Sequence, residues 1–189
     1  MIDNIMLSNS LVDIQRFQSL ENFINITKDL DGEICEIGVY KGGTARLFVA
    51  NSNKNIILID TFEGLPLENE FDNFHKKGDF NDTSIEHVIN VLSPYKNYKI
   101  IKGIFPNKDI NDLDELVFKI VHIDVDLYDS VYNCLEYFYP KMVKGGIMVL
   151  DDYNAPTCTG AKIATDKFVN EYNLILHTGI SCQAHIIIK

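Results

Sequence analysis

Basic residues are in short supply in this chain. Seventeen lysines and arginines face 27 acidic residues, a net charge of -10, and no Lys/Arg cluster forms a stripe that could track a phosphate backbone. A nucleic-acid partner is not expected. No apolar run approaches the roughly 20 residues that a membrane span needs, and the opening MIDNIMLSNSLVDIQRF has neither a basic n-region nor a long apolar h-region. The expectation is a soluble, cytoplasmic protein with no membrane partner. Cysteine is sparse and scattered: Cys35, Cys134, Cys158 and Cys182 form no Cys-x-x-Cys pair, so structural zinc and disulfides are not expected. Also absent is the GxGxxG fingerprint of dinucleotide-binding folds.

What is present fits one domain. The 189 residues can bury one sizeable core but not two full domains, and a hydrophobic fraction of 46% is ordinary for a globular chain. Residues 1–31 read as a helical segment, with an amphipathic helix over 11–30 carrying Leu11, Ile14, Phe17, Leu20, Phe23, Ile24 and Ile26 at helical spacing. Residues 32–189 read as alternating strands and helices. GEICEI is a strand, VYKGG a glycine turn, and a helix follows from about Thr44. NIILIDTF, YKIIKGIF, FKIVHIDVD and GGIMVLDD are further strands. Helices are predicted after Thr83 or Ser84, through NKDINDLDELV, over 128–142 as far as Pro140, and through GAKIATDKFVNEY. The last two strands, NLILHTG and QAHIIIK, have no room for a crossover helix between them and should form an antiparallel hairpin. The fold class is therefore α/β, Rossmann-like: a mostly parallel sheet with one reversed strand and helices on both faces.

In such sheets a ligand lies beyond the carboxyl ends of the strands, and acids gather there in this sequence. Glu36 precedes the turn built on Gly38, Gly42 and Gly43, where glycine lets the backbone approach a ligand closely. Asp60 ends the second strand eighteen residues after Gly42, placed to accept hydrogen bonds from ribose hydroxyls. A plain strand-to-helix turn and a simple cap are the bland alternatives. Asp124 and Asp126 end the fourth strand, Asp151 and Asp152 the fifth; four neighbouring carboxylates repel unless something positive sits among them. A hard divalent ion such as Mg²⁺ suits an all-oxygen set, the alternative being that Asp152 only caps a turn. His122, alternating with Ile123, reads as a packed core residue, and His75, in the polar segment 63–82, as a solvated one, unless that segment closes over a substrate as a lid. Tyr137, Phe138 and Tyr139 read as core packing rather than a sugar platform.

GEICEIGVYKGGTA, LIDTFEGLP, HIDVDLYDSVYNCLEYFYPKMVKGGIMVLDDY and CTGAKIATDKF resemble, in order and spacing, the macrocin O-methyltransferase family of S-adenosylmethionine-dependent enzymes, from about residue 32 onward. The resemblance implies the class I methyltransferase fold, seven strands with the last one antiparallel, and metal-assisted methylation of a sugar hydroxyl. Carried over by position, Glu36, Gly38, Tyr40, Lys41, Gly42, Gly43 and Thr44 would line the methionine end of S-adenosylmethionine, Asp60 with Thr61 beside it would hold the ribose, and Asp124, Asp151 and Asp152 would hold Mg²⁺ or another divalent cation. Asp124 is the favoured proton acceptor, with His122 and His75 as weaker candidates. The related catechol-type enzymes place a lysine where this chain has Leu127. The implied partner is a sugar or other small-molecule acceptor, with homo-oligomerisation left open. Competing readings are a metal-independent or small-molecule methyltransferase of the same fold, an NAD-dependent dehydrogenase, which predicts the missing GxGxxG, a receiver-like domain, which wants its acid pair on strand one, and a cofactor-binding module without turnover.

Overall fold

The computed structural model describes residues 2–107, 113–179 and 181–189. Seven strands form one sheet in the order β3-β2-β1-β4-β5-β7-β6. They are β1 (Glu33–Ile37), β2 (Ile56–Asp60), β3 (Tyr98–Lys102), β4 (Phe118–Ile123), β5 (Met142–Leu150), β6 (Leu176–Thr178) and β7 (Ala184–Ile187). The first five run parallel, while β7 is antiparallel to both β5 and β6. The reversed strand expected from the terminal hairpin is β7, inserted between β5 and β6.

Period-two alternation divides the core between the two faces of the sheet. Ile34, Ile56, Leu58, Ile120 and Ile147 point to one side, against α1 (Asn4–Ser8), α2 (Ile14–Ile26), α3 (Gly43–Asn51) and α4 (Ile85–Leu92). Cys35, Ile37, Ile57, Ile59, Val121 and Met148 point to the other, against α5 (Tyr128–Phe138) and α6 (Thr159–Glu171). Phe138 is fully buried among Phe105, Phe118 and Tyr137, so the aromatic run before Pro140 is core packing.

The N-terminal segment departs from the helix expected over 11–30. Asp13 caps α2 by accepting from the Gln15 and Arg16 amides, and Val12 N–H bonds Ser10 Oγ in a turn that separates α1 from α2. Of the predicted stripe, Phe17, Leu20 and Ile24 are buried, whereas Leu11 and Ile26 are 66% and 67% exposed. The helix predicted in NKDINDLDELV falls largely on residues 108–112, outside the described residues. No helix among the described residues is long and apolar enough to cross a membrane.

One glycine sets how closely the central strand ends approach. Gly38, at φ +88°, follows β1 where a Cβ would lie 1.7 Å from the Asp124 carbonyl oxygen, and the Asp124 amide in turn donates to Ile37 O at 2.9 Å. A side chain there meets rigid backbone as well as an unfavourable φ. Gly38→Ala is expected to lower unfolding free energy by about 2–5 kcal/mol, read as a lower urea midpoint; an unchanged midpoint would contradict the close approach.

Candidate active site

The order β3-β2-β1-β4-β5 reverses direction between β1 and β4, and the crevice beyond their carboxyl ends is where open α/β sheets bind ligands. A cavity of about 310 Å³ opens there, walled by the turn after β1, the end of β2, the acids after β4 and β5, segment 63–82 and the α1–α2 connection.

Asp60 organises the β1 side. Its Oδ2 accepts from the Val39 and Tyr40 amides at 2.7 and 2.8 Å, and its Oδ1 from the Phe62 amide at 2.6 Å. One carboxylate thus shapes two turns, and its Oδ1 keeps a further lone pair for a ligand. Thr61 Oγ1 donates to Gly64 O at 2.7 Å and closes the following turn. Tyr40 takes a positive φ of 49°, its hydroxyl donating to Asp82 at 2.9 Å, and Lys41 pairs with the same carboxylate at 2.5 Å.

Of the residues assigned from sequence to the cofactor, Gly38, Tyr40, Thr44, Asp60 and Thr61 line the cavity, whereas Glu36, Lys41, Gly42 and Gly43 do not. Gly42 caps α3 in the left-handed region, and Gly43 admits α1, a Cβ there falling 2.4 Å from Met6 O. Glu36 is fully buried behind the wall, joined to His122, with Oε2 unpartnered.

Behind that wall runs a chain of buried charges. His122 Nδ1 meets Glu36 Oε1 at 3.0 Å and its Nε2 meets Asp151 Oδ1 at 3.1 Å. Asp151 also accepts from Gln183 Nε2 at 2.6 Å and from the Arg16 guanidinium, which reaches in from α2. Burial alone would lower the His122 pKa, but the hydrogen bonds and charges of Asp151 and Glu36 outweigh it and push it up to about 10. Burial would raise Asp151, but His122, Arg16 and Gln183 hold it below the usual carboxylate range. His122 is therefore an imidazolium at neutral pH with both nitrogens engaged, which removes it as a proton acceptor.

Asp124 and Asp152 stand differently. Both line the cavity, their carboxyls are in hydrogen-bonding contact, and burial together with the neighbouring acids pushes both well above the ordinary range. Asp152, 8% exposed, has an Oδ2 with no partner. One atom each of His122, Asp124 and Asp151 lie within 4.8 Å of one another. An all-oxygen pair with a buried, unpartnered oxygen fits a hard divalent cation. Asp151 fits less readily, because Arg16 and His122 already balance its charge and its oxygens are engaged. The positive charge that the sequence argument sought among the acids is supplied in part by the protein.

Segment 63–82 is packed over the site. Buried Asp72 accepts from the Tyr128 amide at 2.9 Å and the Asn69 amide at 3.0 Å, and Thr159 Oγ1 donates to Phe71 O at 3.0 Å. Leu65, Pro66, His75 and Phe80 face the cavity. The solvated His75 expected from sequence is corrected: its side chain is 12% exposed, held between Asp79 and Asp126. Arg16, Gln183 and Asp72 were not anticipated, since no local spacing marks them; the one hint was a lone arginine among the apolar positions of α2.

The seven-stranded sheet with its reversed β7 and its crevice at the β1/β4 switch defines a class I methyltransferase fold. A family model described as macrocin-O-methyltransferase (TylF) matches residues 2–178. The chain belongs to this family of S-adenosylmethionine-dependent O-methyltransferases. Demethyldecarbamoylnovobiocin O-methyltransferase of Streptomyces niveus is 23% identical over 88% of this chain and 70% of its own length. Mycinamicin III 3''-O-methyltransferase of Micromonospora griseorubida is 22% identical over 82% and 69%. The solved structure of the O-methyltransferase NovP superposes with a TM-score of 0.81 at 22% identity, over 96% of this chain and 82% of that one. The chain spans 58% to 70% of the length of the curated relatives it matches.

The charge chain carries a pH signature. The folded His122 pKa of about 10 exceeds the ordinary histidine value of 6.5, so its stabilisation is full below pH 6.5 and is lost as pH rises toward 10. His122→Gln is expected to cost about 3 kcal/mol or more at pH 6, and the gap to wild type to shrink by at most about 1.4 kcal/mol per pH unit above 6.5, measured by urea unfolding at each pH. A gap that stays constant to pH 10 would contradict a buried imidazolium.

Proposed function

We propose that this chain transfers the methyl group of S-adenosylmethionine to a sugar hydroxyl, with a divalent cation such as Mg²⁺ held by Asp124 and Asp152. The observation that carries the reading is the unpartnered, buried Asp152 oxygen beside Asp124, in a cavity whose opposite wall is the Asp60-bound turn. The names of the relatives, which include a mycinamicin 3''-O-methyltransferase and a rhamnosyl-tetracenomycin 4'-O-methyltransferase, support a glycosidic acceptor.

When bound, S-adenosylmethionine supplies the reactive methyl group and the cation lowers the pKa of a hydroxyl beside it. The chain's residues do the rest. Asp60 offers the remaining lone pair of Oδ1 to a ribose hydroxyl, with Thr61 next to it, while Gly38, Tyr40 and Thr44 line the methionine end. Glu36, Gly42 and Gly43 act from behind the wall, shaping the turn, and Lys41 fixes it to Asp82. Asp124, which lines the cavity beside Asp152, takes up the hydroxyl proton. Asp151 would have to give up Arg16 to hold the cation, and otherwise anchors His122. Leu65, Pro66 and Phe80 exclude water from the cavity and leave an apolar surface for a sugar face.

The Arg16–Asp151 pair favours a second reading, in which protein cations alone balance the acids. Methyl-labelled cofactor, a panel of nucleotide-activated and glycosidic sugars, and chelator separate the two. Label is expected on a sugar oxygen, lost with chelator and restored by Mg²⁺. Asp152→Asn is expected to lower kcat by more than about 100-fold, beyond the loss typical of residues that only support a ligand. Transfer that survives chelation would establish the second reading; no transfer to any sugar would remove the sugar acceptor.

A further inference from the structure

The terminal hairpin carries a pair of histidines that play no part in the scheme above and do not line the cavity. His177 on β6 and His185 on β7 are register partners on antiparallel strands, so their side chains leave the sheet on the same face. Their rings are nearly parallel, 17° apart, with centres separated by 5.1 Å. Phe23 of α2 lies against the His185 ring at 4.8 Å. Among the described residues, no hydrogen bond or ion pair engages a ring nitrogen of either histidine. Two imidazoles therefore stand side by side at the edge of the sheet without a polar partner in the protein.

The spacing is that of a chelating pair. Two imidazoles on one Zn²⁺, with Zn–N near 2.0 Å and a tetrahedral angle, have ring centres roughly 5 Å apart. Strand pairing fixes the two backbones at this separation before any ion arrives, so little ordering is left for binding to impose. A histidine must also be neutral to act as a ligand. Burial, together with the neighbouring His177, pushes the His185 pKa below its ordinary value, which keeps that ring neutral at pH 7. No carboxylate touches the pair, and imidazole donors suit zinc, copper and nickel, whereas Mg²⁺ prefers oxygen and water.

We propose that His177 and His185 form a two-histidine site for a divalent cation of the zinc type, separate from the methyl-transfer cavity, with the remaining coordination positions open to water or an added ligand. Binding at neutral imidazoles breaks no N–H bond at the ligating nitrogens and changes no oxidation state. The ion would clasp β6, an edge strand of three residues, to β7. The same hairpin presents Gln183, two residues before His185, whose Nε2 donates to Asp151 Oδ1 at 2.6 Å. An ion on the outer side of the hairpin would thus steady the strand pair from which Gln183 reaches the buried charges.

The test follows the ring signals of the five histidines by ¹H–¹³C NMR as Zn²⁺ is added to the chelator-treated full-length protein, with excess Mg²⁺ present to compete at the carboxylates. The His177 and His185 signals are expected to shift together and saturate on one curve. In His177→Gln the Zn²⁺ concentration that half-shifts His185 should rise at least about tenfold, since even the loss of a group that only supports a ligand costs about that much. His87→Gln should leave both curves unchanged. Signals of the pair that stay in place, or that move on separate curves, overturn the site and leave only a stacked pair. An unchanged half-saturation in His177→Gln overturns it as well. Should thermal unfolding show that His177→Gln does not fold, the wild-type titration decides, because two rings on one ion must follow one curve. The readout lies at these two rings, so its outcome is independent of whether methyl transfer to sugars is found.

Discussion

The chain of charges from Glu36 through His122 to Asp151 and on to Arg16 is the constraint on which the rest of the site depends. Glu36 pairs with His122 in the β1/β4 register, and Asp151 follows directly on the end of β5. Three central strand ends are thereby joined on one side of the sheet, and α2 is joined to them by Arg16. Buried ions are costly singly and tolerable only when each finds its partners. Here the carboxylates and cations alternate, so the loss of one leaves a neighbour exposed to the full desolvation cost. The same alternation keeps Asp151 and His122 from acting as free ligand and free base, whereas Asp124 and Asp152 line the cavity without a hydrogen-bonded cation.

In front of that chain the cavity takes its form from two close approaches. Gly38 lets the turn after β1 run against the Asp124 carbonyl, and Asp60 pulls the amides of Val39 and Tyr40 toward the end of β2. On the far side, Gly160 allows the start of α6 to meet Asp72, since a Cβ there would fall 1.9 Å from the Asp72 carboxylate. Segment 63–82 is therefore fastened to α5 and α6 as part of the wall. Strand ends, turn and loop converge on one cavity that holds acids of two kinds: Asp151, paired directly with protein cations, and Asp124 and Asp152, which feel Arg16 and His122 only at a distance.

Much of this was legible in the sequence, where a residue's role depends on near neighbours. The apolar strands, the glycine turn, Asp60 at the end of β2, the acids after β4 and β5 and the antiparallel terminal pair all follow from alternation, spacing and short connections. Family membership followed from motifs of the same local kind. The parts that escaped depend on distant partners. Arg16 and Asp151 are 135 residues apart, and Gln183 reaches Asp151 from the turn before β7. The break between α1 and α2 was hidden because the apolar spacing runs through it, while the Asp13 cap and the Ser10 turn decide the outcome. His75 read as solvated because the segment around it is polar, yet in space it also lies against Asp126, far along the chain at the end of β4.

The central claim is that the Asp60-bound turn and the adjoining cavity form an S-adenosylmethionine site. It is tested most directly by calorimetric titration of the chelator-treated protein with S-adenosylhomocysteine and, separately, with NAD, comparing wild type with Asp60→Ala. The account predicts one S-adenosylhomocysteine bound per chain, no NAD binding, and at least about a tenfold weaker S-adenosylhomocysteine affinity in the variant, a loss of about 1.4 kcal/mol. Undiminished affinity in Asp60→Ala, or binding of NAD in place of S-adenosylhomocysteine, would contradict it.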